Sequence, residues 1–343
     1  MPSIDPSVLT KFTEDALKAA GASDDEARTV ANHLVQANLY GVDSHGVIRI
    51  PEYIDEVEHG RMKTKTSPKI VKEGKITAVI DAQFGFGQVA AKMAMELAMK
   101  KAKEHGIGGV TVHNCGHTGR IGAYPVMAAK ENMIGIVWVK GAGPGVSPYG
   151  GKAAPLGTSP FTWAVPTGSD EPMFADYATS VSSEGKIRVM MSKGMKLPPN
   201  WLLDKDGKPT DDPAALYAGG SILTFGAHKG YALGLMVEAL GGALSGGGVA
   251  DDFVGANGVF AEAINIEDFV PVSEFKANID RLIKKLRASP PQEGFTEVMV
   301  PGDPEYREER KRSKDGIYVN DNIWSDISKA AEKYHVAMPA TKH

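Results

Sequence analysis

Cysteine, long apolar runs and a charge excess of either sign are all scarce in this 343-residue sequence. The single cysteine, Cys115, cannot form an internal disulfide, which fits a reducing compartment and predicts a cytoplasmic protein. The 38 basic and 42 acidic residues are spread along the chain, so no basic surface for nucleic acid is expected. The longest apolar stretch, near 228–245, is interrupted by Gly and Glu238, and the amphipathic start carries acidic residues. We therefore expect a soluble protein with neither an export signal nor a membrane partner.

What the sequence does contain is a hydrophobic fraction of 42%, enough for a large core. Two helices are predicted at the start, the second capped by Ser23 with Glu26 three residues on. Strands and helices alternate from about 76 to 140, which is typical of an α/β layer. Further on, the polar run at 202–213 predicts a surface loop, and TEVMV at 296–300 predicts a strand.

Two motifs suggest a cofactor or metal site but are weak alone. GFGQVAA at 85–91 matches the dinucleotide fingerprint, yet the next strand ends in His113 and Asn114 instead of an acidic residue. We therefore interpret these glycines as permitting close helix-to-strand packing. His113 and His117 have the spacing of a helical metal pair, but the intervening glycine breaks a helix and no further ligands complete a shell. No metal is expected.

His117 is the first candidate for acid–base chemistry. It follows a predicted strand and lies beside glycines that would let a substrate approach. A structural histidine with satisfied hydrogen bonds is the alternative interpretation.

The segment DSHGVIRIPEY offers a second group of polar side chains. Ser44 and His45 precede Arg49 and Tyr53, and the spacing of four would place His45, Arg49 and Tyr53 on one helical face. A guanidinium with phenol and imidazole donors suits a carboxylate substrate. The alternative is an ordinary ion pair between Arg49 and a glutamate of the same helix.

Two helix starts could contact anions. Lys229 opens a long apolar helix, where its cation and the free N–H groups could face a phosphate or a carboxylate. A lysine that caps a core helix is the alternative. PGDPE at 301–305 is, by itself, ordinary helix initiation.

Taken in order, these motifs resemble the malate/L-lactate dehydrogenase family that is unrelated to Rossmann dehydrogenases. The resemblance is carried by SHG with Arg49 and Tyr53, the HTG of His117, SPYGGKAAPLGTSPFTWAVPT, the D-x-ATS and GKI motifs, GAHKGYALGLMVEAL and PGDPE. It runs from about residue 5 to 337. The family also includes sulfolactate, ureidoglycolate and diketogulonate dehydrogenases and piperideine-2-carboxylate reductases.

The resemblance implies an α/β fold with two parts. One is a non-Rossmann nicotinamide-binding domain with a mixed β-sheet, expected at 76–269. The other is a mostly helical domain built from both termini, expected at 1–75 and 270–343. It also implies a homodimer.

The same resemblance implies hydride transfer between NAD or NADP and a small 2-oxo or 2-hydroxy acid of the malate, lactate or sulfolactate type. His117 would exchange the proton, with His45 as a second catalytic candidate and Ser44, Arg49 and Tyr53 lining the substrate site. The residues expected to contact the cofactor are Gly141, Thr158, Ser159, Pro160, Asp176, Thr179, Ser180, Lys229, Pro301, Gly302 and Asp303, with Arg307 as a candidate reader of a 2′-phosphate.

Two further basic residues, Lys140 and Arg120, are candidates for contact with the substrate. Lys140 lies where small polar or acidic residues are common in related sequences, and Arg120 follows His117 closely. We expect one of them to bind a second polar or anionic group of the substrate. A cyclic-imine reductase and a catalytically silent metabolite-binding homologue are the alternatives to the dehydrogenase. Retention of His117 beside Arg49 favours an enzyme.

Overall fold

The computed structural model describes residues 3–141, 143–252 and 256–341, and it has a mixed α/β fold. The helices in chain order are α1 (Pro6–Ala19), α2 (Asp24–Leu39), α3 (Ile50–Glu58), α4 (Gly87–His105), α5 (Ala123–Lys130), α6 (Glu184–Ser192), α7 (Ala214–Tyr217), α8 (His228–Val237), α9 (Val272–Arg287), α10 (Asp303–Asp315) and α11 (Asp321–Lys333). The strands are β1 (Ser3–Ile4), β2 (Lys69–Glu73), β3 (Thr77–Asp81), β4 (Ile107–Cys115), β5 (Met133–Lys140), β6 (Phe161–Val165), β7 (Met173–Tyr177), β8 (Leu202–Leu203), β9 (Pro209–Thr210), β10 (Ser221–Ile222), β11 (Asn257–Asn265) and β12 (Ile317–Tyr318).

Both ends of the chain contribute to one helical layer. The capping box at Ser23 and Glu26 forms as the sequence predicts and starts α2. β1 pairs with β12, so the first and last strands are hydrogen-bonded to each other. Leu34 of α2 and Ile327 of α11 are fully buried in the same apolar core. Burying each such side chain contributes about 1.5–3 kcal/mol relative to leaving it exposed.

The main sheet has seven strands in the order β2-β3-β4-β11-β5-β6-β7. Only β3 and β4 run parallel; β11 is inserted antiparallel between β4 and β5. This pattern differs from the mostly parallel sheet of a Rossmann domain. The edge strand β2 lies within the 1–75 segment, so the sheet begins before residue 76.

Helices cover both faces of this sheet. α4 packs on β4 and β11, and α5 packs on β5 and β6. The apolar helix predicted over 228–245 is α-helical only to Val237 and continues as a π-helical turn, Glu238–Ala243, on the opposite face. There Gly241 lies so close to β5 that an added Cβ would stand 2.7 Å from Lys140 N. No helix among the described residues is long and apolar enough to cross a membrane.

The strand predicted at 296–300 was wrong, and the surface loop predicted at 202–213 was right only for its exposed middle. The segment 202–213 contains a hairpin, β8 paired with β9, because Leu202 is buried and the Asp204 carboxylate accepts the N–H groups of Asp206 and Lys208 in the turn. No strand forms at 296–300. There the N–H of Val300 donates to the Asp303 carboxylate at the start of α10 instead of joining a sheet.

Candidate active site

The polar segment before α3 folds into two short 3-10 turns, at 43–45 and 47–49, so the predicted helical face exists only from Arg49 onward. The turns nevertheless bring Ser44, His45 and Arg49 together. Ser44 Oγ lies 2.9 Å from His45 Nδ1, and Arg49 Nε donates to the Ser44 carbonyl at 2.8 Å. Arg49 Nη1 also pairs with Glu52 at 2.6 Å, so the ion pair considered as an alternative is present as well.

His117 packs against this group of residues. Its Nδ1 lies 2.7 Å from Tyr53 Oη. Its ring stacks on that of His45, with centroids 5.5 Å apart and planes 25° apart. Both imidazoles are half-buried, whereas Tyr53 is fully buried. The sequence-predicted residues Ser44, His45, Arg49, Tyr53 and His117 therefore form one cluster.

Burial keeps both imidazoles of this cluster uncharged. It lowers the pKa of His117 well below its usual value, and the nearby His45 and Arg49 add to the shift. Burial and the charge of Arg49 lower the pKa of His45 to about 4. At neutral pH the site therefore presents two neutral imidazoles beside one guanidinium.

The HNCGH segment ends β4 and turns toward the site. His113 belongs to the strand, whereas His117 lies in the loop after it, so the two do not share a helical face. Among the described residues, no group of three or more His, Cys, Asp or Glu side chains could hold a metal ion.

Arg120 is buried beside the His117 loop. Its guanidinium lies 4.5 Å from the centre of the Tyr40 ring and donates to Gln36 Oε1 at 3.2 Å. Its Nε and Nη1 have no hydrogen-bond partner among the described residues. The Asp176 carboxylate, whose pKa is raised by burial and lowered less strongly by Arg120, accepts the Gly122 N–H at 2.7 Å.

Lys140 is also buried, at the end of β5. It lies against the π-helical turn on the face of the sheet opposite α4, with its Cγ beside Gly242. The backbone of the next residue, Gly141, packs against the backbone of Gly157 and Thr158.

The expected cofactor contacts before β6 and after β7 are joined by backbone hydrogen bonds. Thr179 N donates to Thr158 O, and Phe225 N donates to Thr179 O, each at 3.0 Å. Ser180 bridges Thr224, just before α8. Residues 158–160 thus lie just before β6, Asp176 lies in β7, and Thr179 and Ser180 lie just after β7. The exposed Lys229 lies on the first turn of α8.

The 301–303 turn meets the same strand at its other end. Phe174 N donates to Pro301 O at 3.4 Å, and Gly302 lies against the Phe174 ring with φ of 99°. Asp303 pairs with Arg287 at 2.7 Å, and Arg307 pairs with Glu297 at 2.9 Å. β7 therefore connects this turn, Asp176 and the 179–180 segment.

Three polar residues near the site had no role in the sequence analysis. Gln88, fully buried, donates to Tyr53 Oη at 2.7 Å. His33 stacks on Tyr124 beside the His117 loop. Glu238, also buried, accepts from Ser159 Oγ at 3.0 Å. The only sequence signal was a polar residue inside an apolar helical pattern.

Comparison with known proteins gives one family. Its model, described as malate/L-lactate dehydrogenase, matches residues 4–328. L-sulfolactate dehydrogenase of Methanocaldococcus jannaschii is 40% identical over 325 residues, 92% of this chain and 93% of that protein. The crystal structure of malate dehydrogenase from Entamoeba histolytica has a TM-score of 0.94 at 30% identity, covering 98% of this chain and 99% of that chain.

The family also has members named for imine chemistry. The structure of Δ1-piperideine-2-carboxylate reductase from Pseudomonas syringae has a TM-score of 0.87 at 26% identity, covering 97% of this chain and 99% of that chain. Dehydrogenases of the family use NAD(P). The described fold, the residues matched and the identity over nearly the whole length agree: the chain belongs to the malate/L-lactate dehydrogenase family of NAD(P)-dependent 2-hydroxy acid oxidoreductases.

Proposed function

We propose that this protein interconverts a small 2-oxo acid and the corresponding 2-hydroxy acid, of the malate, lactate or sulfolactate type. The observation that carries the proposal is the cluster of His117, His45 and Arg49, in which neutral imidazoles lie beside a fixed guanidinium. A neutral imidazole can share a proton with a carbonyl or hydroxyl oxygen, and a guanidinium binds a carboxylate.

In reduction, His117 gives a ring hydrogen to the substrate oxygen and regains one from water; in oxidation the same transfers run in reverse. Tyr53 occupies its Nδ1, so Nε2 is the nitrogen left for the substrate. His45, stacked on the same ring, limits the rotation of His117 and forms one wall of the site. This positioning places the proton at one oxygen, which is what reduction of a carbonyl requires.

Arg49 holds the carboxylate of the substrate. Its Nε is bound to Ser44 O and its Nη1 to Glu52, which fixes the guanidinium plane. Nη2 makes neither of these bonds and is the nitrogen proposed to bind the carboxylate of the substrate. Ser44 and Gly185 at the start of α6 lie in contact, so α6 borders the same site.

The cofactor would be held by residues in β7 and in the segments hydrogen-bonded to it. When bound, NAD(P)H supplies the hydride. The residues that would hold it are Gly141, Thr158, Ser159, Pro160, Asp176, Thr179, Ser180, Lys229, Pro301, Gly302, Asp303 and Arg307. A cleft of about 790 Å³ lies beside the 301–303 turn, where Lys284 and Arg287 line it together with Pro301 and Asp303; the other residues named lie outside its lining.

Arg120 and Lys140 are the proposed readers of a second anionic group on the substrate. Two guanidinium nitrogens of Arg120 have no hydrogen-bond partner among the described residues, although the side chain is buried. An additional acceptor would satisfy them. If the proposal holds, changing Arg120 or Lys140 to Ala lowers turnover of a dicarboxylic or sulfonated oxo acid more than that of pyruvate.

We also propose a homodimer, with 76–269 as the cofactor-binding part and 1–75 with 270–343 as the helical part. Leu235, Met236 and Leu244 on α8 and the turn after it are 44%, 48% and 57% exposed. Apolar side chains this exposed are typical of an interface. A Met236→Lys variant that sediments as a monomer while the parent protein sediments as a dimer would support this arrangement. Sedimentation of both the parent and the variant as monomers would contradict it.

The test of the function is oxidation of NADH and of NADPH against a panel of oxo acids and one cyclic imine. The panel comprises pyruvate, oxaloacetate, sulfopyruvate, phenylpyruvate, a sugar 2-keto acid and piperideine-2-carboxylate. Turnover of a 2-oxo acid supports the proposal and ranks the substrate classes. Turnover of the imine alone would replace it with the reductase function, and cofactor binding without any turnover would favour a silent homologue.

A further inference from the structure

The GFGQVAA motif has no place in the proposed cofactor site, but it contacts His117 through the backbone. A Cβ added to Gly87 would lie 2.1 Å from Gly116 O and 2.5 Å from His117 O. Gly116 N also donates to Gly85 O at 3.1 Å. Because only glycine fits at position 87, α4 begins directly against the loop that carries His117. The next residue in the motif, Gln88, is therefore held beside the site.

Gln88 begins a chain of side-chain hydrogen bonds that ends at His117. Its Nε2 donates to Tyr53 Oη at 2.7 Å, and Tyr53 Oη lies 2.7 Å from His117 Nδ1. Gln88 and Tyr53 are both fully buried, so water does not compete for either bond. Of the three side chains in this series of hydrogen bonds, only the imidazole of His117 is partly exposed.

The direction of this chain follows from its first donor. An amide nitrogen can only donate, so the hydrogen bond from Gln88 occupies a lone pair of Tyr53 Oη. Among the described residues the other hydrogen-bond partner of Tyr53 Oη is His117 Nδ1, so the single hydroxyl hydrogen is directed there and Nδ1 accepts. We propose that Gln88 is a positioning residue which, through Tyr53, holds neutral His117 in the tautomer with its hydrogen on Nε2.

This inference rests on the proposed function for its consequence. The Nε2–H of His117 would point at the carbonyl oxygen of a bound 2-oxo acid and polarise it before the hydride arrives. Tyr53 acts in this account through His117 rather than through direct contact with the substrate, which agrees with its complete burial. The tautomer itself is a property of the ligand-free protein.

The direct test is the ring-nitrogen NMR spectrum of the ¹⁵N-histidine-labelled protein, with the His117 signals assigned by their loss in His117→Gln. We expect Nδ1 to show the shift of an unprotonated acceptor nitrogen and Nε2 that of a protonated one. In Gln88→Leu, Tyr53 Oη is free to accept from Nδ1–H, so a population with the opposite tautomer should appear. A protonated Nδ1 in the parent protein, or an unchanged spectrum in Gln88→Leu, would overturn the proposal.

Turnover separates positioning from a general packing role. Gln88→Leu should lower kcat about tenfold, the worth of one buried hydrogen bond, with little change in KM for the oxo acid. In a Tyr53→Phe background the same change should cause almost no further loss, because the chain is already broken. Equal losses in both backgrounds would contradict the proposal. Gln83→Leu, which removes only a hydrogen bond to Ser67 O, is the matched control and should leave kcat unchanged.

The two hypotheses fail in different ways. If no oxo acid is turned over, the proposed function fails, while the NMR spectrum still reports the tautomer. If oxo acids are turned over but His117 carries its hydrogen on Nδ1, the proposed function stands and the role of Gln88 is wrong.

Discussion

At the residue scale, Arg49 performs a task that lysine cannot. Its Nε and Nη1 are held by Ser44 O and Glu52 while the guanidinium remains beside the imidazoles. An ammonium group has no rigid fork and cannot keep these bonds and bind a carboxylate in one plane.

Arg49→Lys should therefore weaken substrate binding. We expect KM for the preferred oxo acid to rise about tenfold or more, since a hydrogen bond to a charged group contributes about 1.5–3 kcal/mol. Steady-state kinetics at saturating NAD(P)H measure the change. Arg28→Lys, in an exposed ion pair with Asp25, is the control. An unchanged KM for Arg49→Lys would remove Arg49 from the substrate site.

Single residues were predictable where their chemistry is rare in the sequence. The sequence singles out His117 by its place after a strand and beside glycines, and Arg49 by its spacing from His45 and Tyr53, and the fold brings both into one cluster. Gln88 was not identified from the sequence, because its proposed role depends on a hydrogen bond to Tyr53, 35 positions earlier in the chain. Spacing within a segment does not reveal partners that only the tertiary fold brings together.

At the scale of elements, the start of α4 fixes the position of the loop that carries His117. Gly87→Ala would force its new methyl group into the backbone of Gly116 and His117. We expect a loss of about 1–3 kcal/mol in the free energy of unfolding, and reduced turnover from a displaced His117. Chemical denaturation and kinetics measure both. Gly143→Ala, whose Cβ meets open space, should leave stability unchanged; a fully stable and active Gly87→Ala would contradict the described packing.

Elements with a clear hydrophobic period could be predicted from the sequence, whereas elements that depend on tertiary contacts could not. The charged, amphipathic pattern of 272–287 predicts a helix, and α9 forms with the same bounds. The 296–300 strand failed because a strand needs a neighbour, and here Val300 donates to the carboxylate of Asp303. Likewise the π-helical turn after Val237 follows from close contact with the sheet, which hydrophobic periodicity does not report.

At the scale of the whole molecule, several imidazoles are held uncharged together. Burial lowers the pKa of His33 to about 3 and that of His45 to about 4, and it also lowers the pKa of His117. In the unfolded chain these groups titrate near 6.5. Below that pH the unfolded state binds more protons than the native state, so native stability falls as the pH falls.

We therefore expect acid to destabilise the protein from about pH 6.5 downward. Each of these histidines contributes a slope of at most about 1.4 kcal/mol per pH unit until its native pKa is reached. Urea unfolding at about pH 7.5 and about pH 5 measures the difference. His33→Phe, which keeps the stack on Tyr124, should flatten the dependence. Equal unfolding free energies at the two pH values would contradict the buried, neutral state of these side chains.

The central claim is that His117 exchanges the proton with the substrate. The most direct measurement compares His117→Ala with the parent protein on whichever 2-oxo acid the parent reduces, with NAD(P)H binding measured separately by fluorescence. The account predicts a loss of about 10²–10⁴-fold in kcat, the usual contribution of general acid–base catalysis, with cofactor affinity retained. Undiminished turnover of the oxo acid by His117→Ala would contradict it.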